Sequence, residues 1–289
     1  MDWFDKPFEL TFGVQLLAAL AAKYVLVIVF RKRSELSAIA TKNMLASIAI
    51  SVMNIGAAIF FINDINAFLQ TAYNALHIPT LDPKFWDGWP LWLLCIIGII
   101  PRDFADYWSH RAMHTRWGWP THAAHHTDTH VNAFTGLRVH CFESILMTLS
   151  YVILLTWLQM PEAIPIIAAF YLVHGIYVHM DLDIDHGPFK YLIASPVFHR
   201  WHHADVPRAY GKNLGNIMPL WDRIFGTYYN PGPCREQMGA LSSGLADTNP
   251  FLIYIYPLQE WARLIKEAWI ETVRPLIGKR HRTPNDPRQ

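Results

Sequence analysis

Three histidine groups stand at spacings that suit metal ligation. His110-Arg-Ala-Met-His114 is an HxxxH, His122-Ala-Ala-His125-His126 an HxxHH, and His199-Arg-Trp-His202-His203 a second HxxHH. Of the 15 histidines in the chain, 13 lie between His110 and His203, so they are concentrated as well as spaced. Residues i and i+4 share a helix face, which lets His110 and His114 approach one metal. In each HxxHH the first histidine pairs with either of the last two. Those last two diverge by about 100° on a helix, which suits two neighbouring metals better than one. Eight imidazoles are enough for two ions, since one zinc takes about four protein ligands.

Imidazole serves iron, copper, zinc and nickel alike, so the spacing leaves the metal open. A carboxylate di-iron bundle would show Glu-x-x-His pairs, and none lies among these groups. A histidine-rich metal-binding tail would be a continuous tract, whereas these groups alternate with apolar helical runs. A hydrolase needs a nucleophile or an acid-base partner, and no GxSxG occurs. A metal transporter or a zinc-dependent hydrolase stays as the alternative of another class. Cys95, Cys141 and Cys234 are odd in number and far apart, which argues against a disulfide framework. The net charge of +1 offers no basic field for nucleic acid.

The elements that must position the histidines read as helices. Hydrophobic residues make up 52% of the chain and charged ones 16%, against about a quarter charged in soluble domains. The apolar runs at 11–30, 43–62, 89–100 and 145–179 predict membrane spans, the last as two short spans turning at Met160-Pro161-Glu162. The opening MDWFDKPFEL lacks the features of a signal peptide, so the first run is expected to remain as a helix. Pro101 predicts a kink. The stretch 251–270 mixes charge with aromatics and reads as amphipathic. Arg31, Lys32, Arg33 and Lys42 place residues 31–42 on the cytoplasmic side, and counting crossings brings 102–140 and the segment after His179 to that side too. The expected architecture is an all-α integral membrane protein with about four spans and a cytosolic histidine-rich cap. Its segments are 1–100 (N-terminal spans), 101–141 (first two histidine groups), 142–179 (hairpin), 180–230 (third group and cap) and 231–289 (amphipathic segment and tail).

At these residues the chain resembles the fatty acid hydroxylase superfamily, which includes sterol desaturases. DFADYWSHR at 103–111 looks like the approach to that family's first histidine box. HHTDTHVNAFTGLRVHCFE at 125–143 looks like its bacterial, alkylglycerol monooxygenase-like branch, and KNLGNIMPLWDRIFGTYY at 212–229 resembles the stretch after the last box. The resemblance covers roughly 90–230, the expected catalytic core.

What the resemblance implies is a non-haem di-iron centre that uses molecular oxygen to hydroxylate, or alternatively to desaturate, a C–H bond of a lipid- or sterol-like substrate. By motif position it carries metal ligation onto His110, His114, His122, His125, His126, His199, His202 and His203, and onto His179. His130, His140 and His174 are further ligand candidates. His140 and Glu143 match an HxxE-like element of the family, and His186 has no counterpart there. Metal-bound imidazoles donate their other N–H to carboxylates or carbonyls, which makes Asp103, Asp106, Asp128, Glu143, Asp181 and Asp222 candidates for that support. Asn213 could orient a ligand or water. No Rossmann, haem or iron–sulfur motif is present, so electrons are expected from a separate reductase, ferredoxin, cytochrome or reduced pterin. Membrane lipids are the expected surroundings, in a bacterial inner membrane with the histidines on the cytoplasmic side.

Overall fold

Capping and breaking residues divide the chain into helices whose C-terminal ends carry the histidines. The computed structural model describes residues 7–159, 163–245 and 249–272. In chain order these hold α1 (Pro7–Ile28), α2 (Ala38–Ala75), α3 (Leu91–Met113), α4 (Trp119–His126), α5 (Cys141–Leu158), α6 (Ile164–Val178), α7 (Pro196–His202), α8 (Leu220–Phe225) and α9 (Pro250–Thr272). The described residues contain no strand, only an isolated bridge between Ala204 and Met238.

Local chemistry sets these boundaries. Ser37 caps α2 by accepting from Ala40 N at 3.2 Å, and Ser195 caps α7 by accepting from Phe198 N at 3.2 Å, with Pro196 next to it. Gly118 opens α4 where the chain turns back on α3. A Cβ there would lie 2.1 Å from the Ala112 carbonyl oxygen, so no larger residue fits. α8 ends at Gly226, whose φ of 76° suits glycine.

α3 packs on α5 and α6, α2 on α5 and α9, α4 on α9, and α1 on α6. One apolar cluster joins Ala19 and Leu26 of α1 to Phe134, Leu137, Ile176 and Met180. Another joins Leu94, Leu158, Ala163 and Ile167 across α3, α5 and α6.

The expectation of four membrane spans is overturned, and with it those of an integral inner-membrane location, of sidedness and of surrounding membrane lipids. Among the described residues no helix is long and apolar enough to cross a membrane. α6 has 15 residues, about 22 Å of helix against a hydrocarbon core of about 30 Å. The run at 89–100 does not stop at Pro101 but continues as α3 through Arg102, Asp103 and Asp106, all buried. The run at 43–62 is part of a helix of 38 residues, Ala38–Ala75, that continues past the end expected at residue 62. Its buried face is polar: Ser51 Oγ donates to Leu137 O at 2.6 Å, Asn54 donates to Val139 O, and Asn43 and Ser47 are buried beside them. Hydropathy registered the apolar content of these helices but not that protein covers their polar faces. The Met160-Pro161-Glu162 turn, His281 and the tail from 273 lie outside the described residues.

Candidate metal centre

Four helix C-termini converge on one buried volume. His110 occupies the last turn of α3 and His114 its C-cap, and His122, His125 and His126 fill the end of α4. His179 caps α6, while His199 and His202 end α7, with His203 as its C-cap. Cations are favoured at helix C-termini, where the partial charge is negative.

The nine side chains form two groups. Ligand atoms of His110, His114, His122 and His202 lie within 4.8 Å of one another, as do those of His125, His179, His199 and His203. His126 joins the first group: its Nε2 is 3.1 Å from His122 Nε2 and 3.0 Å from His202 Nε2. The adjacent pairs therefore split. His125 faces one group and His126 the other, and His203 and His202 divide in the same way.

Hydrogen bonds on the outer nitrogens decide what these groups can hold. His110 Nδ1 donates to Leu214 O at 2.8 Å, His202 Nδ1 to Lys212 O at 2.9 Å, His125 Nδ1 to Arg138 O at 3.3 Å and His179 Nδ1 to Gly175 O at 2.5 Å. His122 Nδ1 donates to Glu143 Oε1 at 2.8 Å. A carbonyl only accepts, so the four Nδ1 atoms that face carbonyls carry the proton and their Nε2 atoms present lone pairs. Yet Nε2 of His110 lies 2.9 Å from that of His122 and 3.1 Å from that of His202, and the His125–His179 pair is 3.2 Å apart. Facing lone pairs at that separation repel unless a cation lies between them. His114 Nε2 is buried with no hydrogen-bond partner. Burial also favours the neutral form, pushing His110 and His179 down to about 4 and the other seven well below the ordinary histidine range, helped by mutual repulsion. Neutral imidazole is the metal-binding form. The donor set fits a pair of metal ions of the di-iron type.

The residues expected to support the ligands divide. Burial pushes the Glu143 carboxyl well above its usual range, and it reaches His122. Asp222 accepts from Leu214 N at 2.7 Å, Gly215 N at 2.8 Å and Thr227 Oγ1 at 2.6 Å, so it holds the strand of chain that holds His110. Asn213, at φ 58°, donates to Phe198 O at 2.8 Å and Tyr229 O at 2.7 Å and accepts from Tyr229 N at 2.7 Å. Its neighbours on either side supply the carbonyls for His202 and His110. Asp103 ties α3 to the same loop through Ile217 N and Met218 N, both at 2.8 Å. Asp106 lies 3.8 Å from Arg102 Nε, Asp128 accepts from His130 N and Thr135 Oγ1, and Asp181 pairs with Lys32 and Arg200.

Three candidate ligands stand outside both groups. His130 faces Glu35 at 3.5 Å, His140 Nε2 donates to Tyr254 O at 2.9 Å, and His174 Nε2 donates to Ala194 O at 3.2 Å. Burial pushes His174 down to about 4. His186, which had no counterpart, accepts from Tyr177 Oη at 2.8 Å. Sequence reasoning missed Arg138, fully buried, whose carbonyl serves His125 while its guanidinium reaches Ser47 Oγ, Thr127 Oγ1 and Asn43. It also missed Trp119, whose ring lies 5.5 Å from that of His114 and 5.1 Å from that of His126. A cavity of about 250 Å³ opens onto His114, His126 and His202 of the first group, with Trp119, Asp205, Tyr210 and Ser242 in its wall.

Residues 95–227 match the family described as fatty acid hydroxylase. The chain is 29% identical over 150 residues to the ornithine lipid hydroxylase OlsE of Rhizobium tropici, covering 51% of this chain and 45% of that protein. It is 31% identical over 144 residues to the alkylglycerol monooxygenase of Danio rerio, covering 50% and 31%. It is 25% identical over 156 residues to a very-long-chain aldehyde decarbonylase, GL1-6, of Oryza sativa subsp. japonica, covering 50% and 24%. The matched part is thus less than half the length of each of these relatives. No solved structure matches.

Proposed function

We propose, from the premise that the chain belongs to the fatty acid hydroxylase and sterol desaturase superfamily, that it is an oxygen-dependent di-iron hydroxylase acting on a C–H bond of a lipid-like substrate. The observation that carries the reading is the set of facing Nε2 lone pairs in two adjoining all-histidine groups. The lipid class is supported by the relatives, which are named for ornithine lipid and alkylglycerol.

Two irons held by these groups would supply reductive activation of oxygen, with the balance R–H + O₂ + 2e⁻ + 2H⁺ → R–OH + H₂O. The two electrons come from a separate protein or reduced pterin. The residues of the chain do the rest. Five outer nitrogens are locked by four carbonyls and Glu143, which fixes the tautomers and aims every Nε2 inward. Ligands that bring no charge leave the metal charge for substrate oxygen to balance. Burial limits water at the groups, and the cavity reaches the first of them. Trp119 packs over His114 and His126 and limits the approach on that side.

The test is metal identity and stoichiometry in protein purified under reducing, iron-replete conditions, with Mössbauer spectra on labelled iron. The expected result is close to two coupled, nitrogen-ligated irons per chain. One zinc, or no firmly held metal in folded protein, refutes the reading and favours the hydrolase or transport alternatives. Products from labelled oxygen then separate hydroxylation, with label in the lipid, from desaturation, with label only in water.

A further inference from the structure

One face of α2 carries a row of short polar side chains, Asn43, Ser47, Ser51 and Asn54, at spacings of four, four and three residues that align them along the helix. All four are buried. Burying polar groups in an otherwise apolar helix costs free energy unless they find partners, and these converge on one loop, 137–139. Ser51 Oγ donates to Leu137 O at 2.6 Å, and Asn54 Nδ2 donates to Val139 O. Between these two contacts the Arg138 side chain lies along the same row. Its Nε donates to Ser47 Oγ at 3.1 Å, and its Nη2 to Asn43 O and Asn43 Oδ1, both at 2.9 Å. Its Nη1 donates at 3.0 Å to Thr127 Oγ1, on the residue that caps α4 two positions after His125. The carbonyls on either side are turned to α2, and the Arg138 carbonyl is turned to His125 Nδ1.

The second group depends on that one contact. Three histidines of the first group are held from other elements, by Leu214 O, Lys212 O and Glu143. In the second group His179 Nδ1 turns to Gly175 O of its own helix, and Nδ1 of His199 and of His203 is buried with no hydrogen-bond partner among the described residues. Among the described residues, Arg138 O is therefore the one hold that another element has on an outer ring nitrogen of that group. At 3.3 Å it is near the limit for a hydrogen bond, so a shift of a few tenths of an ångström ends it. We propose that Arg138 is the positioning residue of the second metal, with the polar row of α2 as its mount: the row fixes the loop, the loop aims Arg138 O, and the carbonyl sets the His125 ring. The metal in this proposal rests on the two-metal reading, whereas the setting of His125 does not.

Nuclear magnetic resonance of the metal-free full chain, labelled with ¹⁵N-histidine, reads the ring directly, with the His125 signals assigned by their absence in His125→Gln. The wild type should show one tautomer, with the proton on Nδ1. Arg138→Lys keeps the charge beside Asp128 but not the planar fork. It should let His125 populate both tautomers while His110 keeps its own. Chelator competition on the iron-loaded protein should then show the second site about 10–100-fold weaker and the first unchanged. Ser51→Ala releases Leu137 O and leaves the arginine in place. A smaller shift in the same direction is expected from it, which keeps the test open if Arg138→Lys fails to fold. Combined with Asn213→Gly, which frees the carbonyls that hold His110 and His202, Arg138→Lys should cost both irons. Leu158→Ala, in an apolar cluster that contains no histidine, should lower the denaturation midpoint and spare both sites. A pure Nδ1–H tautomer with both irons held in both α2-loop variants, equal weakening of the two sites in Arg138→Lys, or the same selective loss in Leu158→Ala overturns the positioning role. A wild type that holds fewer than two metals refutes the two-metal reading, and the His125 tautomer alone then decides the role of Arg138.

Discussion

Asn213→Gly should empty one metal site and spare the other, although Asn213 touches no metal-facing nitrogen. The residue sits at φ 58°, which glycine adopts freely, so the substitution removes only the side chain's three hydrogen bonds. Leaving Tyr229 N–H without its acceptor costs about 1–3 kcal/mol, and the two carbonyls add to that, for roughly 2–4 kcal/mol in all. A domain with about 5–15 kcal/mol of stability survives the loss. What changes is the aim of the neighbouring carbonyls: Lys212 O holds His202 and Leu214 O holds His110. Both of those histidines belong to the first group, and neither belongs to the second. Loss of such an outer partner typically lowers metal affinity about 10–100-fold. Chelator competition followed by Mössbauer spectroscopy should show about one iron leaving early and one retained, nitrogen-ligated and no longer coupled. Simultaneous loss of both irons, or no loss in a variant destabilised by the expected amount, would refute the idea that this loop acts through His110 and His202.

Three other outcomes follow from the same geometry. Glu143→Gln keeps an acceptor for His122 but takes away a carboxyl that can ionise when a cation binds its partner, so affinity at the first group should fall by about tenfold in chelator competition, with no loss of helical circular dichroism. Gly118→Ala would drive a methyl to 2.1 Å from Ala112 O, so chemical denaturation should show a loss of at least about 1–3 kcal/mol, and an unchanged midpoint would contradict the tight α3–α4 turn. His174 is held at about 4 by burial. A histidine with a lowered folded pKa gives stability that is complete above its unfolded value near 6.5 and declines as pH falls toward 4. Between pH 7.5 and 5 the wild type should therefore lose about 2 kcal/mol more than His174→Gln, read as the difference in unfolding free energy, and parallel curves would be evidence against that assignment.

The spacing of the histidines was legible because it reports directly on helix geometry. His110 and His114 do end α3 one turn apart, and α4 and α7 are helices through their HxxHH segments. Supporting groups were legible where side chains act: Glu143, Asn213 and Asp222 stand where they can orient His122, His110 and His202. The carbonyls of Arg138, Gly175, Lys212 and Leu214 were not, because every residue has one and no side-chain signature marks those that are aimed at an imidazole. Buried Arg138 was passed over because a basic residue in a loop reads as surface. The spans failed for a related reason. A run such as 43–62 counts as apolar on average, while Asn43, Ser47, Ser51 and Asn54 line up along the face that the histidine-bearing loops cover.

The splitting of the two HH pairs has a mechanical consequence. His125 and His126 share a peptide, as do His202 and His203, and each pair sends one ring to each group. Ring centroids within a pair are 5.7 and 5.3 Å apart, and His126 and His203 approach to 4.6 Å across the boundary. Two metals held by these groups would have their separation set by two short helices, α4 and α7. Histidines at helix ends would give such a pair this rigidity without charge on the ligands. They do so only if α4 cannot slide against α3, which the close contact of Gly118 with Ala112 prevents, and if α7 cannot slide against the 212–214 loop, which Asn213 prevents through Phe198 O. Gly118→Ala should therefore alter the coupling between two bound metals before it abolishes binding, whereas Asn213→Gly, which frees the carbonyls that hold His110 and His202, weakens the first site itself.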